Sequence, residues 1–136
     1  MVNISTREVR SQLIHDFKLK ELGIDFMGYE FELKDASYHH LLVPRRMGGL
    51  ATYENGAVLI QNTAHNYLHT IERYDMFVFR SITDAIQEEK ILGSLDIDAL
   101  KYIRNCLLYF EDNYDYVRTK KGKPVIKKEY ITKRKI

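Results

Sequence analysis

The sequence contains a single cysteine, Cys106, which excludes a disulfide framework and a zinc knuckle built from cysteines. No apolar run approaches the roughly 20 residues that a membrane-spanning helix needs. The first ten residues lack the apolar stretch of a signal peptide, and the patterns G-x-G-x-x-G and G-x-x-x-x-G-K-[ST] do not occur. We therefore expect a cytoplasmic protein in a reducing environment, with no membrane partner and no nucleotide-cofactor fold.

The charge that is present is divided unevenly along the chain. The 136 residues, 45% hydrophobic and 29% charged, are typical of one globular domain over residues 1–136. Residues 118–136 carry a net charge of +8, whereas residues 1–117 carry −6. A basic tail on an acidic body favours a polyanionic partner, most simply nucleic acid. A solvated terminus without a partner is the alternative.

The hydrophobic periodicity predicts an α+β fold. A stripe of apolar residues at every fourth position indicates a helix over about residues 6–21, with Gly23 as its stop. The remaining predicted elements are strands over 28–33, 38–43 and 57–60, a helix from Ala64 behind a Thr63 cap, a helix over about 77–92, and a helix behind an Asp96 cap. Cys106 flanks the apolar face of the last helix and is expected to be buried and inert. Strands flanked by helices in this order indicate an α+β arrangement and not βαβ winding.

Four of the five histidines fall within 31 residues of one another: His39, His40, His65 and His69. His65 and His69 are four positions apart on a predicted helix, so both imidazoles lie on one face and can share a cation. His39 and His40 are adjacent on a predicted strand and therefore point to opposite faces. Only one of them can join the helix pair at a metal, and the other is then free to face a substrate. The alternative is a strand with one buried and one exposed histidine that packs against a helix by chance.

Residues 38–72 resemble the HNH nuclease signature, the ββα-metal motif shared with the nuclease domains of DNase colicins. The matching features are the pair His39-His40, then Leu41 and Pro44, the loop glycines Gly48-Gly49, Asn55, the strand from Gly56 to Ile60, and His65-x-x-x-His69. The resemblance covers about a quarter of the chain. It implies a ββα-metal core within about residues 28–74, with an N-terminal helix, further C-terminal helices and the basic tail around it.

The resemblance also implies a role for each matching polar residue. His39, His65 and His69 match the ligands of one divalent metal ion. The imidazole donors do not determine whether this ion is Zn, Ni, Mg or Mn. His40 matches the general base that activates the attacking water. Asn55 matches the residue that braces the loop between the two strands, as an amide that both donates and accepts hydrogen bonds can do.

Arg45 and Arg46 lie in the loop that follows His40. Their planar guanidinium groups suit phosphate oxygens. Ordinary surface charge is the alternative for both. Together with the resemblance, they predict a metal-dependent endonuclease that hydrolyses phosphodiester bonds, most simply in DNA. Two other interpretations stay open: a nucleic-acid-binding module on the same scaffold with little or no activity, and a protein in which the histidines hold a structural metal.

Overall fold

The computed structural model describes residues 6–113 in full and the backbone of residues 115–118 and 124–127. The helices are α1 (Thr6–Asp16), α2 (Leu19–Leu22), α3 (Asn66–Tyr74), α4 (Met76–Leu92) and α5 (Ile97–Asn113). The strands are β1 (Ala36–His40), β2 (Gly56–Ile60), β3 (Asp115–Arg118) and β4 (Pro124–Lys127). The fold is a mixed α+β arrangement, in which one apolar core joins the helices to the β1–β2 hairpin.

The β1–β2 hairpin forms the centre of the fold. Its strands are antiparallel, in a register that pairs Ala36 with Ile60 and His40 with Gly56. Every residue of β2 is buried, because α1 packs against this strand and the chain continues from its end into α3. The long helices α4 and α5 lie against each other, and α4 also contacts α3. The hairpin presents His39 of β1 to the start of α3.

The first predicted helix is shorter than the periodicity indicates. Instead of one helix over residues 6–21, the structure has α1, a break at Lys18 and the single turn α2, which ends at Gly23. Lys18 adopts a left-handed conformation with φ of 55°, which an α-helix cannot contain. Phe17 is nevertheless buried, so the apolar stripe continues through the break.

The predicted strand over residues 28–33 is wrong. This part of the chain makes one isolated bridge, between Ile24 and Glu30, and enters a 3₁₀ turn at Leu33. Tyr29 and Phe31 do pack against the core while the intervening glutamate is exposed. The alternation thus reports one-sided burial and not pairing with a neighbouring strand.

A buried carboxylate explains why this segment bends. Asp25 is fully buried and accepts hydrogen bonds from the backbone amides of Met27 at 2.8 Å, Tyr29 at 3.0 Å and Ile60 at 3.0 Å. Gly28 supplies the positive φ of 88° that the turn requires. Asp25 therefore curls the chain around itself and ties the turn to the end of β2.

The predicted strand over 38–43 lies two to three residues too late in the chain, since β1 spans Ala36–His40. The amides of Leu42 and Val43 bond to the Asn55 side chain instead of to a strand, so the ladder ends before them. The Thr63 cap is also wrong. Thr63 lies inside a π-helical turn, Gln61–His65, that leads into α3.

The helices in the second half of the chain follow the sequence closely. The side chain of Asp75 caps α4, and Gly93 ends it in a left-handed conformation. The predicted Asp96 cap is confirmed, since its carboxylate accepts from the amide of Ala99 at 3.0 Å. Cys106 is buried in α5, as expected, and burial raises the pKa of its thiol.

The basic tail over residues 118–136 lies largely outside the described residues. Within it, the backbone of Arg118 and Pro124–Lys127 belongs to the antiparallel hairpin of β3 and β4. Among the helices that the structure describes, none has the length and apolar character required to cross a membrane.

Candidate metal centre and its groove

Three of the four clustered histidines meet at one point. His39 on β1, His65 at the end of the π-helical turn and His69 on α3 each offer a ring nitrogen, and these nitrogens all lie within 4.8 Å of one another. The ring centroids are 5.1 Å apart for His39 and His65, 5.4 Å for His39 and His69, and 4.8 Å for His65 and His69. Strand and helix therefore bring together the three imidazoles that the sequence proposed as ligands.

His39 is the deepest of the three, at 2% exposure. Among the described residues, neither of its ring nitrogens has a hydrogen-bond partner. Burial, followed by the neighbouring His65 and His69, lowers the pKa of His39 to about 3, so the ring is neutral at pH 7. A buried polar group without a partner is destabilising by roughly 1–3 kcal/mol. A cation held by this ring would satisfy one of the two orphaned nitrogens.

His65 is held in one tautomer by its neighbours. Its Nδ1 lies 2.8 Å from Ser37 Oγ and 3.1 Å from Gln61 Oε1. The Ser37 hydroxyl donates its own hydrogen to the carbonyl of Leu59 at 2.7 Å, so its oxygen is free to accept from the ring. Nδ1 therefore carries the hydrogen, and the lone pair of the neutral ring is on Nε2. Burial is the main cause that lowers the pKa of His65 to about 4.

His69 is oriented by a carboxylate one turn further along α3. Its Nδ1 lies 3.1 Å from Glu72 Oε1, while Glu72 Oε2 lies 3.9 Å from Arg46 Nη2. An ionised carboxylate only accepts hydrogen bonds. The hydrogen of this pair therefore sits on Nδ1 of His69, and Nε2 is the position that can bind a cation.

The donor set fits a single divalent ion. Histidine partnered at Nδ1 by a carboxylate, hydroxyl or amide oxygen is the usual arrangement around a metal-ligating imidazole. Ring nitrogens that each lie about 2.1 Å from one tetrahedral zinc ion are about 3.4 Å apart. The three nitrogens of the cluster lie within 4.8 Å of one another, so the rings would have to draw together by up to about 1.4 Å to hold one ion.

His40 lies on the other face of β1 from His39, as strand alternation requires. Its ring packs edge-on against Tyr38, with the centroids 4.9 Å apart. The Tyr38 hydroxyl donates to the carbonyl of Thr52 at 2.6 Å. A Cβ on Gly56 would come within 2.2 Å of the Tyr38 ring, so only glycine fits opposite His40. Burial, and then the positive charge of Arg45, lowers the pKa of His40 below the usual 6.5.

Asn55 joins the two ends of the long β1–β2 loop. Its Oδ1 accepts from the amides of Leu42 at 2.9 Å and Val43 at 2.7 Å. Its Nδ2 donates to the carbonyls of Val43 and Leu50, both at 3.0 Å. Asn55 is itself buried. The four hydrogen bonds that a loop-bracing amide requires are therefore present.

A groove of about 610 Å³ opens beside this cluster. All four clustered histidines line it, together with Arg45, Arg46 and Glu72. Its far wall is the first half of α4, which contributes Arg80 and the apolar side chains of Met76 and Phe79. The groove thus combines imidazoles, three guanidinium groups and an apolar patch.

The sequence pattern missed two of these residues and left a third undecided. Ser37 could have been found from its position two residues before His39, since both then share one face of the strand. Glu72, which follows His69 by one helical turn, was equally compatible with a solvated surface position. Arg80 carries no local signal, because α4 approaches the groove only through the tertiary packing of α3 and α4.

Comparison of the chain with protein-family models, curated proteins and solved structures gives no match. The site is therefore interpreted from its own geometry.

Proposed function

We propose that the chain is a metal-dependent endonuclease of the HNH type that hydrolyses phosphodiester bonds in DNA. The observation that supports this most directly is the division of the adjacent histidines. His39 converges with His65 and His69 on one point, while His40 lines the groove from the opposite face of β1. A protein with a structural metal alone has no use for the second imidazole in an open groove.

His39, His65 and His69 would hold the ion through ring nitrogens. When bound, a divalent ion supplies Lewis-acid stabilisation of the negative charge that develops on the phosphate and the leaving oxygen. Three imidazoles favour Zn or Ni, whereas Mg prefers oxygen ligands and Mn lies between them. The buried, unpartnered nitrogens of His39 are what this assignment rests on.

His40 acts as the general base. Because its pKa is lowered, the ring is neutral at pH 7 and has a lone pair available. A water oxygen attacks phosphorus as His40 takes one of its protons, and the bond from phosphorus to the leaving oxygen breaks. Tyr38 fixes the plane of the ring by its edge contact, so the lone pair keeps one direction.

Three arginines bind the substrate backbone in this proposal. Arg45 and Arg46 lie on the loop side of the groove and Arg80 lies on α4, so phosphates between the two walls are contacted from both sides. Guanidinium forks pair well with phosphate oxygens. Arg46 gives up its 3.9 Å contact with Glu72 to do so. An ion pair with one highly exposed partner contributes at most about 1 kcal/mol.

Incubation with supercoiled plasmid across Zn, Ni, Mg and Mn tests the proposal. Nicking or linearisation should appear with at least one ion and stop on addition of EDTA. His15→Ala is the matched control, because His15 is the one histidine outside the cluster and its side chain is 89% exposed. A folded protein that binds plasmid but does not cleave it with any of the four ions would favour the nucleic-acid-binding module instead.

A further inference from the structure

Glu72 links His69 to Arg46, and it is the least exposed of these three polar side chains. Its side chain is 17% exposed, whereas those of His69 and Arg46 are 51% and 70% exposed. Its two carboxylate oxygens have separate partners, Oε1 at 3.1 Å from His69 Nδ1 and Oε2 at 3.9 Å from Arg46 Nη2. The carboxylate is therefore oriented from both ends.

The three clustered histidines depend on their surroundings to different degrees. His39 is enclosed by the core. His65 has two partners at Nδ1, Ser37 and Gln61. His69 is about half-exposed, and within the described residues its one hydrogen-bond partner is Glu72. An exposed imidazole on a helix rotates about two side-chain bonds unless a partner fixes it. Its orientation toward the other two rings thus depends on a single hydrogen bond.

We propose that Glu72 is a positioning residue that fixes the tautomer and the ring plane of His69 and thereby sets the affinity of the three-histidine centre for its metal ion. This inference rests on the proposed function for the identity of the centre, but it concerns metal binding and not cleavage. The carboxylate keeps the hydrogen on Nδ1 and directs Nε2 toward His39 and His65. An outer partner of this kind fixes the tautomer and ring orientation of a ligating imidazole.

Titration of Co²⁺ into the protein without nucleic acid tests this, by calorimetry and by the visible absorption of the bound ion. Glu72→Ala should lower the Co²⁺ affinity by roughly 10–100-fold, the usual effect of removing an outer partner of a ligating histidine. Glu72→Gln keeps an oxygen that accepts from Nδ1 and should recover most of that loss. Glu88→Ala is the matched control, because Glu88 is an exposed glutamate on α4 that lines a separate surface pocket, and it should leave the affinity unchanged.

Cleavage by the unaltered protein separates this inference from the proposed function. Metal binding is measured without nucleic acid, so it does not depend on the contact of Glu72 with the substrate-binding Arg46. Glu72→Ala with an unchanged Co²⁺ affinity and an unchanged spectrum, measured on folded protein, would overturn the positioning role and leave the nuclease proposal intact. Unaltered protein that binds Co²⁺ but cleaves nothing would overturn the nuclease proposal and leave this one standing. Failure of the unaltered protein to bind any ion would overturn both.

Discussion

At the scale of single residues, the site depends on two adjacent imidazoles in unequal surroundings. His39 is almost fully buried and neutral, beside the rings of His65 and His69, whereas His40 is half-buried beside Arg45. The side chains separate because a strand turns successive residues to opposite faces. Two histidines that differ by one position along the chain are thereby suited to metal binding and to proton transfer respectively.

Substitution of each adjacent histidine should therefore have a different result. His39→Ala should lower metal affinity, with activity falling as a consequence. His40→Ala should leave metal affinity nearly unchanged and lower the cleavage rate by roughly 10²–10⁴-fold, the usual contribution of a positioned base. Calorimetric titration of metal into both variants, together with cleavage rates at saturating metal, checks this. Loss of metal binding in His40→Ala but not in His39→Ala would mean that the two roles are exchanged.

The pH dependence of cleavage should reflect the environment of His40. A general base works in its neutral form, so the rate rises with pH through its pKa. Because burial and Arg45 lower that pKa below 6.5, the midpoint of the rise should lie below the pH at which a free imidazole loses its proton. Arg45→Gln removes the nearby positive charge and should move the rise toward higher pH. An Arg45→Gln profile that moves toward lower pH would contradict the assignment of His40 as the base.

At the scale of secondary-structure elements, end signals were more informative than periodicity. Gly23, Gly93 and Asp96 were recognised from residue type alone, because a left-handed stop or a side-chain cap is a local event. The strand over 28–33 was predicted from alternation, but strand formation needs a partner. The bend at Asp25 depends on the amide of Ile60, which is 35 residues away. No local pattern carries that information.

The turn before α3 shows the same limit. The sequence placed the helix start at Ala64 with Thr63 as its cap, while the structure has a π-helical turn over Gln61–His65. Such wide turns are rare and frequently occur at functional sites. Here the turn places Gln61 Oε1 at 3.1 Å from His65 Nδ1. The sequence indicated that His65 and His69 lie together, but it could not predict Gln61 as one of the two partners of His65.

Asn55 should control the geometry of the whole β1–β2 loop. Asn55→Ala leaves two amides and two carbonyls without their partner, at a cost of roughly 1–3 kcal/mol for each that stays buried. Thermal unfolding should therefore occur at lower temperature, and activity should fall because His40 directly precedes the loop and Arg45 lies within it. Asn55→Asp keeps the acceptor for the amides of Leu42 and Val43 but loses the donor for the carbonyls of Val43 and Leu50. Its stability should therefore lie between those of the unaltered protein and Asn55→Ala. Equal stability of all three proteins would show that the loop is held by other contacts.

At the scale of the whole molecule, the acidic body contains a carboxyl group that the fold keeps protonated. Glu89 on α4 is fully buried, and its Oε1 accepts from the amide of Asp96 at 3.2 Å. Burial is the main cause that raises the pKa of Glu89 to about 8, with smaller contributions from the charges of Asp96 and Asp25. The folded state therefore holds a proton at pH 7 that the unfolded chain has released.

This proton makes stability depend on pH. A raised pKa in the folded state contributes stability that is complete below about 4.5, the ordinary pKa of Glu89, and is lost as the pH rises to about 8. The difference between the two limits is on the order of 5 kcal/mol. Urea unfolding between pH 5 and 9 should show a shallower decline for Glu89→Gln than for Glu88→Gln, the exposed neighbour. Parallel curves for the two variants would indicate that Glu89 is ionised in the folded protein.

The opposite charges of the body and the tail should separate DNA affinity from catalysis. Each phosphate that a lysine or arginine neutralises contributes about −0.9 to the slope of log affinity against log salt for duplex DNA. The tail carries +8 over residues 118–136, far from the histidines in sequence, so its contacts would be independent of the groove. Deletion of residues 118–136 should weaken DNA binding and flatten its salt dependence while metal affinity stays unchanged.

Replacement of every lysine in the tail by glutamine keeps the chain length and should flatten the slope in the same way, because the effect depends on charge. A slope that stays the same in the glutamine variant would show that the body alone, through Arg45, Arg46 and Arg80, makes the phosphate contacts.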